Sequence, residues 1–302
     1  MGSGAVVEQV MVLFLIMIVG MVAAKQDIIN GEVRKKLSDL LLYITAPFLV
    51  ITAFNFKFSP DILKNAGIIL AFSFVAHVGS ILLGMVLFSK YPINKQRVLK
   101  HMIVFSNCGY MGFPVLESMF GKIGVFYGSI YNLTFQVFVW TYGVILFTGN
   151  RKQTSTGKVL LNPGVASVII GMLIFIFSLE IPKPIFQALE MVGGMTAPLS
   201  MLIVGALLSS IKFKSIFSGF EVYYGSLIRL IVIPLISFGV LKLIGVEELL
   251  LQVSVLLVAM PAAANTALFA EKYDADPILA SRGVALSTIL SIITIPLIMM
   301  LT

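Results

Sequence analysis

The sequence predicts an all-α polytopic membrane protein with ten transmembrane helices in two inverted five-helix repeats, of which the fourth and ninth helices are broken. Three observations lead there. The chain of 302 residues is 59% hydrophobic and 12% charged, with a mean hydropathy of +1.03, whereas soluble domains average about 45–50% apolar and about 25% charged. Apolar stretches, each near the ~20 residues that one bilayer crossing needs, fall at 6–24, 37–56, 66–88, 98–119, 122–148, 162–180, 187–209, 218–244, 248–270 and 277–301. Two of them are interrupted at mid-depth, the fourth by Gly, Pro and Asn and the ninth by Pro and Asn.

The first stretch lacks a basic leader and a small-residue cleavage site, so it is expected to be a span rather than a removable signal. The connections that follow are short, the longest polar one running from Gly149 to Lys158, and none leaves room for a separate soluble domain. Fifteen of the 21 lysines and arginines sit in the loops after spans one, three, five, seven and nine, and only five in the alternate loops. Basic loops stay cytoplasmic, so both termini are expected to be extracytoplasmic and the two halves, 1–150 and 151–302, to enter the membrane in opposite senses. Orientation accounts for the net charge of +7 without a nucleic-acid partner, because the basic clusters are short and have no interleaved aromatics.

Internal repetition marks the same division. Shifting the chain by 151 positions places Ile18, Gly20 and Met21 on Ile169, Gly171 and Met172, and Thr45-Ala46-Pro47 on Thr196-Ala197-Pro198. Two clusters at one offset point to duplicated halves. Such repeats surround a midplane site with broken helices at matching positions.

The breaks themselves are Ser106-Asn107-Cys108-Gly109-Tyr110-Met111-Gly112-Phe113-Pro114 and Met260-Pro261-Ala262-Ala263-Ala264-Asn265-Thr266. Glycine weakens a helix, and proline lacks the N–H that would bond one turn back and drives its predecessor from helical angles. Backbone groups freed in hydrocarbon need partners, and such backbone survives only inside protein or beside a water-filled cavity. In carriers that place is the substrate site. The substrate-binding candidates are therefore Asn107, Cys108, Tyr110 and Pro114 in the first break and Pro261, Asn265 and Thr266 in the second. Gln136 in span five joins them, with Asn132, Ser287 and Thr288 nearby in spans five and ten. A half-helix that begins at mid-membrane offers free N–H groups and a positive dipole end to an anion, and Asn107 and Asn265 add neutral amide donors.

Arg229 is the one strongly charged side chain deep in a span, and its burial costs about 2.5–3.5 kcal/mol on insertion scales. Two roles are open for it: a structural clamp on broken backbone, or an anion-attracting or coupling group. His77, within one residue of the repeat-related position, is a coupling candidate of the same kind. No Asp or Glu lies at the centre of a span, which disfavours a cation/proton antiporter. The single cysteine, Cys108, rules out an intrachain disulfide and a multi-cysteine metal site. With only His77 and His101 as bases and no metal-ligand or nucleophile motif, neither an enzyme, a metal nor a cofactor is expected.

At these residues the chain resembles the auxin efflux carrier family, which includes plant auxin carriers and bacterial permeases for malate, malonate and related acids. The resemblance spans nearly the whole chain. It rests on Asn107 with Gly112-Phe113-Pro114 and Phe120-Gly121, then Asn162-Pro163 and Gly171, Ala197-Pro198 and Gly205, Arg229 with Pro234, Pro261 and Asn265, and Phe269-Ala270-Glu271-Lys272-Tyr273. The plant carriers have proline where this chain has Ser106 and Thr266, and a long loop where it has Gly149 to Lys158. The resemblance implies crossing of spans four and nine, a scaffold of spans one, two, six and seven, and a moving part of spans three to five and eight to ten. It also implies elevator-type alternating access, a homodimer in the plasma membrane, and a small organic anion such as a dicarboxylate or auxin-like acid as cargo. The competing expectation is a sodium-coupled organic-anion symporter of the bile-acid type, built on the same crossover.

Overall fold

The structure, a computed structural model, describes residues 3–150, 154, 157, 161–209, 211 and 213–302. The polar connection 149–158 thus falls mostly outside the described residues. Every regular element among them is helical, and apart from the single turn Phe213–Ile216 they are α1 (Ser3–Lys25), α2 (Gly31–Ala53), α3 (Pro60–Leu87), α4 (Ile93–Val104), α5 (108–120), α6 (122–148), α7 (Pro163–Ile176), α8 (Lys183–Ser209), α9 (Phe220–Ile244), α10 (Glu248–Ala259), α11 (Asn265–Lys272) and α12 (Pro277–Met299). Each lies on an apolar stretch that hydropathy picks out. Among the described residues, six uninterrupted helical runs are long and apolar enough to cross a bilayer, and shorter apolar helices accompany them. Side chains such as Leu15, Val75, Val86 and Leu243 point outward from this bundle and are exposed, the surface expected where lipid is the solvent.

Helix ends follow local chemistry. Asn30 accepts from the amides of Glu32 and Val33 at the start of α2, Ser59 caps α3 ahead of Pro60, and Asn162 caps α7 ahead of Pro163. Asp276 does the same for α12 ahead of Pro277. Proline at the first helical position loses nothing, because that N–H has no intrahelical acceptor. Further in, proline has a different effect. Wider π turns at Leu41–Thr45, Cys108–Gly112 and Ile228–Val232 each end two residues before a proline: Pro47, Pro114 and Pro234. The missing N–H and the bulk of the ring disrupt the bond to the preceding turn, and an extra residue is taken into that turn.

Helices α5 and α6 form one continuous 41-residue run, Cys108–Thr148, but the run reverses at Gly121, whose φ of 61° and ψ of −150° suit glycine alone. The fold-back is visible in contacts. Cys108 Sγ lies 3.4 Å from Asn132 Oδ1, a separation that a straight helix of 24 residues would stretch to roughly 36 Å at 1.5 Å per residue. Lys122, just past the reversal, pairs with Glu190 of α8 at 2.6 Å and lies 4.6 Å from the Phe186 ring.

Helix α1 packs along the second half of α8, and α2 packs against α7 and the first half of α8. Helix α3 packs on α4 and on the α5–α6 hairpin, while α9, α10 and α11 gather around α12. At the α1–α8 crossing the backbones touch: a Cβ on Gly205 would lie 1.9 Å from the Met17 carbonyl oxygen, and one on Gly20 2.3 Å from that of Leu202. Gly171, 151 positions after Gly20, meets the fully buried ring of Phe54. Phe54 stands 151 positions before Gly205, and Gly20 the same number before Gly171, so one offset relates the glycines of the α1–α8 crossing to the Phe54–Gly171 contact. Close helix approach through small residues is how membrane helices associate when hydrophobic burial offers no advantage.

Gly205→Ala should therefore lower the thermal unfolding midpoint of the detergent-solubilised protein, at a cost of about 1–3 kcal/mol from overpacking. Gly239→Ala, where an added Cβ meets nothing within 4 Å, should be neutral or stabilise by roughly 0.5–1 kcal/mol.

Candidate binding site at the paired helix breaks

Helix α4 stops at Val104 because Phe105 turns to extended angles, φ −102° and ψ 106°. Helix α10 stops at Ala259, and Met260, ahead of Pro261, takes φ −59° and ψ 146°, as the residue before proline must. The two extended pieces pair with each other. Ser106 and Ala262 form an antiparallel bridge, Asn107 N–H donates to Pro261 O at 2.8 Å, and Ala263 N–H donates to Phe105 O at 2.9 Å. The Ala262 amide, on the other side of its strand, donates to Ser287 Oγ of α12 at 3.1 Å. Past the bridge both chains resume helix, α5 at Cys108 and α11 at Asn265, so two helix C-termini and two N-termini meet at one place.

The buried Asn107 accepts through its backbone carbonyl from the amides of Met111 and Gly112, which seats the first π turn of α5. Cys108 is buried against Asn132 of α6. Tyr110 is half-buried and packs toward Leu41 of α2 and Leu199 and Ile203 of α8, which puts it between the break and the α1–α2–α7–α8 group. Pro114 is buried one turn into α5, and the buried Pro261 gives its carbonyl to the bridge. Asn265 is half-buried, with its amide oxygen enclosed and unpartnered. Thr266, buried beside it, holds His101 Nδ1 of α4 at 2.9 Å, so a side-chain bond ties the two broken segments together as well.

Gln136 is engaged elsewhere: its Oε1 accepts from Asn162 Nδ2 at 3.2 Å, buttressing the cap of α7. Ser287 is a brace: its hydroxyl donates to Val284 O while accepting from the Ala262 amide. Thr288 bonds back to Val284 O in its own helix. His77 donates from Nδ1 to Ser73 O at 2.7 Å and stacks on Phe138, with ring centres 5.2 Å apart. A carbonyl can only accept, so Nδ1 carries the proton, and the ring is held as an aromatic packing piece.

Arg229 is 1% exposed. The π turn Ile228–Val232 carries it, and it reaches both C-terminal helix ends. Nη1 donates to Ile103 O of α4 at 2.6 Å, Nε to Met260 O at 3.2 Å, and Nη2 to Val258 O of α10. Of the two roles open from sequence, the clamp on broken backbone is the one with contacts. The link from His101 to Thr266 and the pairing of Gln136 with Asn162 went unforeseen. The first had a sequence signal, because His101 stands one turn ahead of Phe105 and Thr266 follows Asn265. Among the described residues, no group of three or more His, Cys, Asp or Glu side chains is placed to hold a metal ion.

The sequence pattern of the family described as membrane transport protein matches this chain twice, over residues 5–158 and 153–299. An uncharacterized transporter of Methanocaldococcus jannaschii is 24% identical over 303 residues, covering 96% of each chain. An uncharacterized transporter of Methanothermobacter thermautotrophicus is 26% identical over 200 residues, covering 63% of each. With an all-helical bundle of apolar, bilayer-length segments and a family match over nearly its full length, the chain belongs to the membrane transport protein family, the auxin efflux carrier-like transporters, and is a multi-pass membrane transporter and not an enzyme.

Proposed function

We propose that the protein is a secondary carrier of a small organic anion, which it binds where the two helix breaks pair and moves by elevator-type alternating access. One observation carries this reading: the mutual backbone bonds of Phe105, Asn107, Pro261 and Ala263, which bring the starts of α5 and α11 together inside the bundle. The first amides of a helix have no intrahelical acceptor and sit at the positive end of its dipole. A carboxylate there exchanges water for fixed N–H groups. The side-chain NH2 groups of Asn107 and Asn265 supply neutral donors, which hold an anion without the persistence of a full charge. Cys108, Tyr110, Pro114, Pro261 and Thr266 shape the same place, and Gln136 acts through the cap of α7.

The rest of the reading is architectural. Spans four and nine each comprise two helices, α4 with α5 and α10 with α11, in a ten-span plan of two inverted repeats, 1–150 and 151–302. The shared offset of 151, which also relates the glycines of the α1–α8 crossing to the Phe54–Gly171 contact, supports that plan. Helices α1, α2, α7 and α8 are the scaffold and homodimer side, and the remainder is the moving part. The protein sits in the plasma membrane with its basic loops cytoplasmic. The membrane potential drives a monoanion outward with about 2.3 kcal/mol per 100 mV, so export needs no coupled ion.

Purified protein in liposomes should take up one or more members of a labelled mono- and dicarboxylate panel saturably. Asn107→Ala should weaken binding roughly tenfold to hundredfold, the loss of about 1.5–3 kcal/mol that a hydrogen bond to a charged group supplies. A panel with no saturable uptake, or an Asn107→Ala variant that transports normally, would overturn the assignment. For the orientation, a Cys108→Ser background carrying Lys90→Cys should react with an impermeant maleimide only from the cytoplasmic side, and one carrying Lys57→Cys only from the opposite side.

A further inference from the structure

The charge of Arg229 is balanced in an unusual way. It is enclosed, and among the described residues the carboxylate ion pairs are Lys95–Glu221 and Lys122–Glu190, neither of which reaches it. Its bonds all go to backbone carbonyls, those of Ile103, Val258 and Met260. These belong to the last turn of α4 and to the end of α10 with the residue that follows it. A helix C-terminus carries about half a negative elementary charge. Two such ends facing one point make about one negative charge, and one guanidinium cancels it. A carbonyl cage of this kind is what a monovalent cation would otherwise occupy, since unwound backbone and half-helix C-termini are the cation ligands of broken-helix carriers.

We infer that Arg229 is a tethered counter-cation filling a cation site between the two helix C-termini, so that the protein has no place there for a dissociable inorganic cation and does not need one. The site itself stands on geometry alone. The consequence that cargo transport is independent of sodium rests on the carrier reading above. Arg229 is carried by the π turn Ile228–Val232, which ends two residues ahead of Pro234.

Removing the guanidinium should leave an empty site of guanidinium shape. In detergent, full-length Arg229→Ala should unfold several degrees below the wild type. Millimolar guanidinium or methylguanidinium chloride should then raise its midpoint saturably, while choline chloride at equal ionic strength does nothing and the wild type responds to none of the three. A cooperative Arg229→Ala unfolding transition that guanidinium does not shift overturns the inference. So does a wild-type midpoint raised saturably by sodium over choline. Should Arg229→Ala not fold, Arg229→Lys and Arg229→Gln decide the matter. The lysine variant, which keeps the charge, must be the more stable, and a glutamine variant of equal or higher midpoint overturns the inference. These midpoints involve no cargo, so they hold whether or not a carboxylate is transported. In liposomes that do transport one, replacing sodium by choline should leave the initial rate unchanged.

Discussion

An unpaired peptide group costs several kcal/mol in hydrocarbon, and that constraint governs the centre of this molecule. The chain stops being helical at Phe105 and at Met260, and each interruption supplies what the other lacks. Asn107 N–H needs Pro261 O, and Phe105 O needs Ala263 N–H. Neither broken segment is a complete structure alone. Ser287 of α12 then takes the Ala262 amide that the bridge leaves over, so a helix from the far end of the chain is drawn into the same accounting.

Pairing the backbone brings four helix ends together and with them their charge. Arg229 answers the negative pair, and the starts of α5 and α11 are left as the positive pair. The same proline chemistry that breaks one helix widens another, for Pro234 sets the π turn that carries Arg229, much as Pro114 follows the π turn at the start of α5. Around this centre the packing depends on small residues. At Gly20 and Gly205 backbone lies on backbone, whereas at Gly171 the ring of Phe54 is wedged against the glycine.

Much of this was legible in the sequence, because membrane physics leaves few options. Apolar length locates the helices, and Asn and Pro inside two of the stretches, joined by Gly in the first alone, mark the breaks. Partner choice was less legible. The attachment of Gln136 to Asn162 depends on how α6 leans on α7, and the bond from His101 to Thr266 depends on α4 passing α11; both are tertiary facts with no periodicity of their own. Arg229 shows the boundary well. Its burial cost demanded interior partners, but that these would be carbonyls of two different helices follows only once α9 is seen beside both breaks.

The reversal at Gly121 has a mechanical consequence. A turn made by one residue leaves no loop between α5 and α6, and Cys108 and Asn132 face each other across the arms of a hairpin. The join between α11 and α12 is longer, spanning residues 273–276. The helix that leaves the first break is thus coupled to its neighbour through a single peptide corner, and the helix that leaves the second through a four-residue connection.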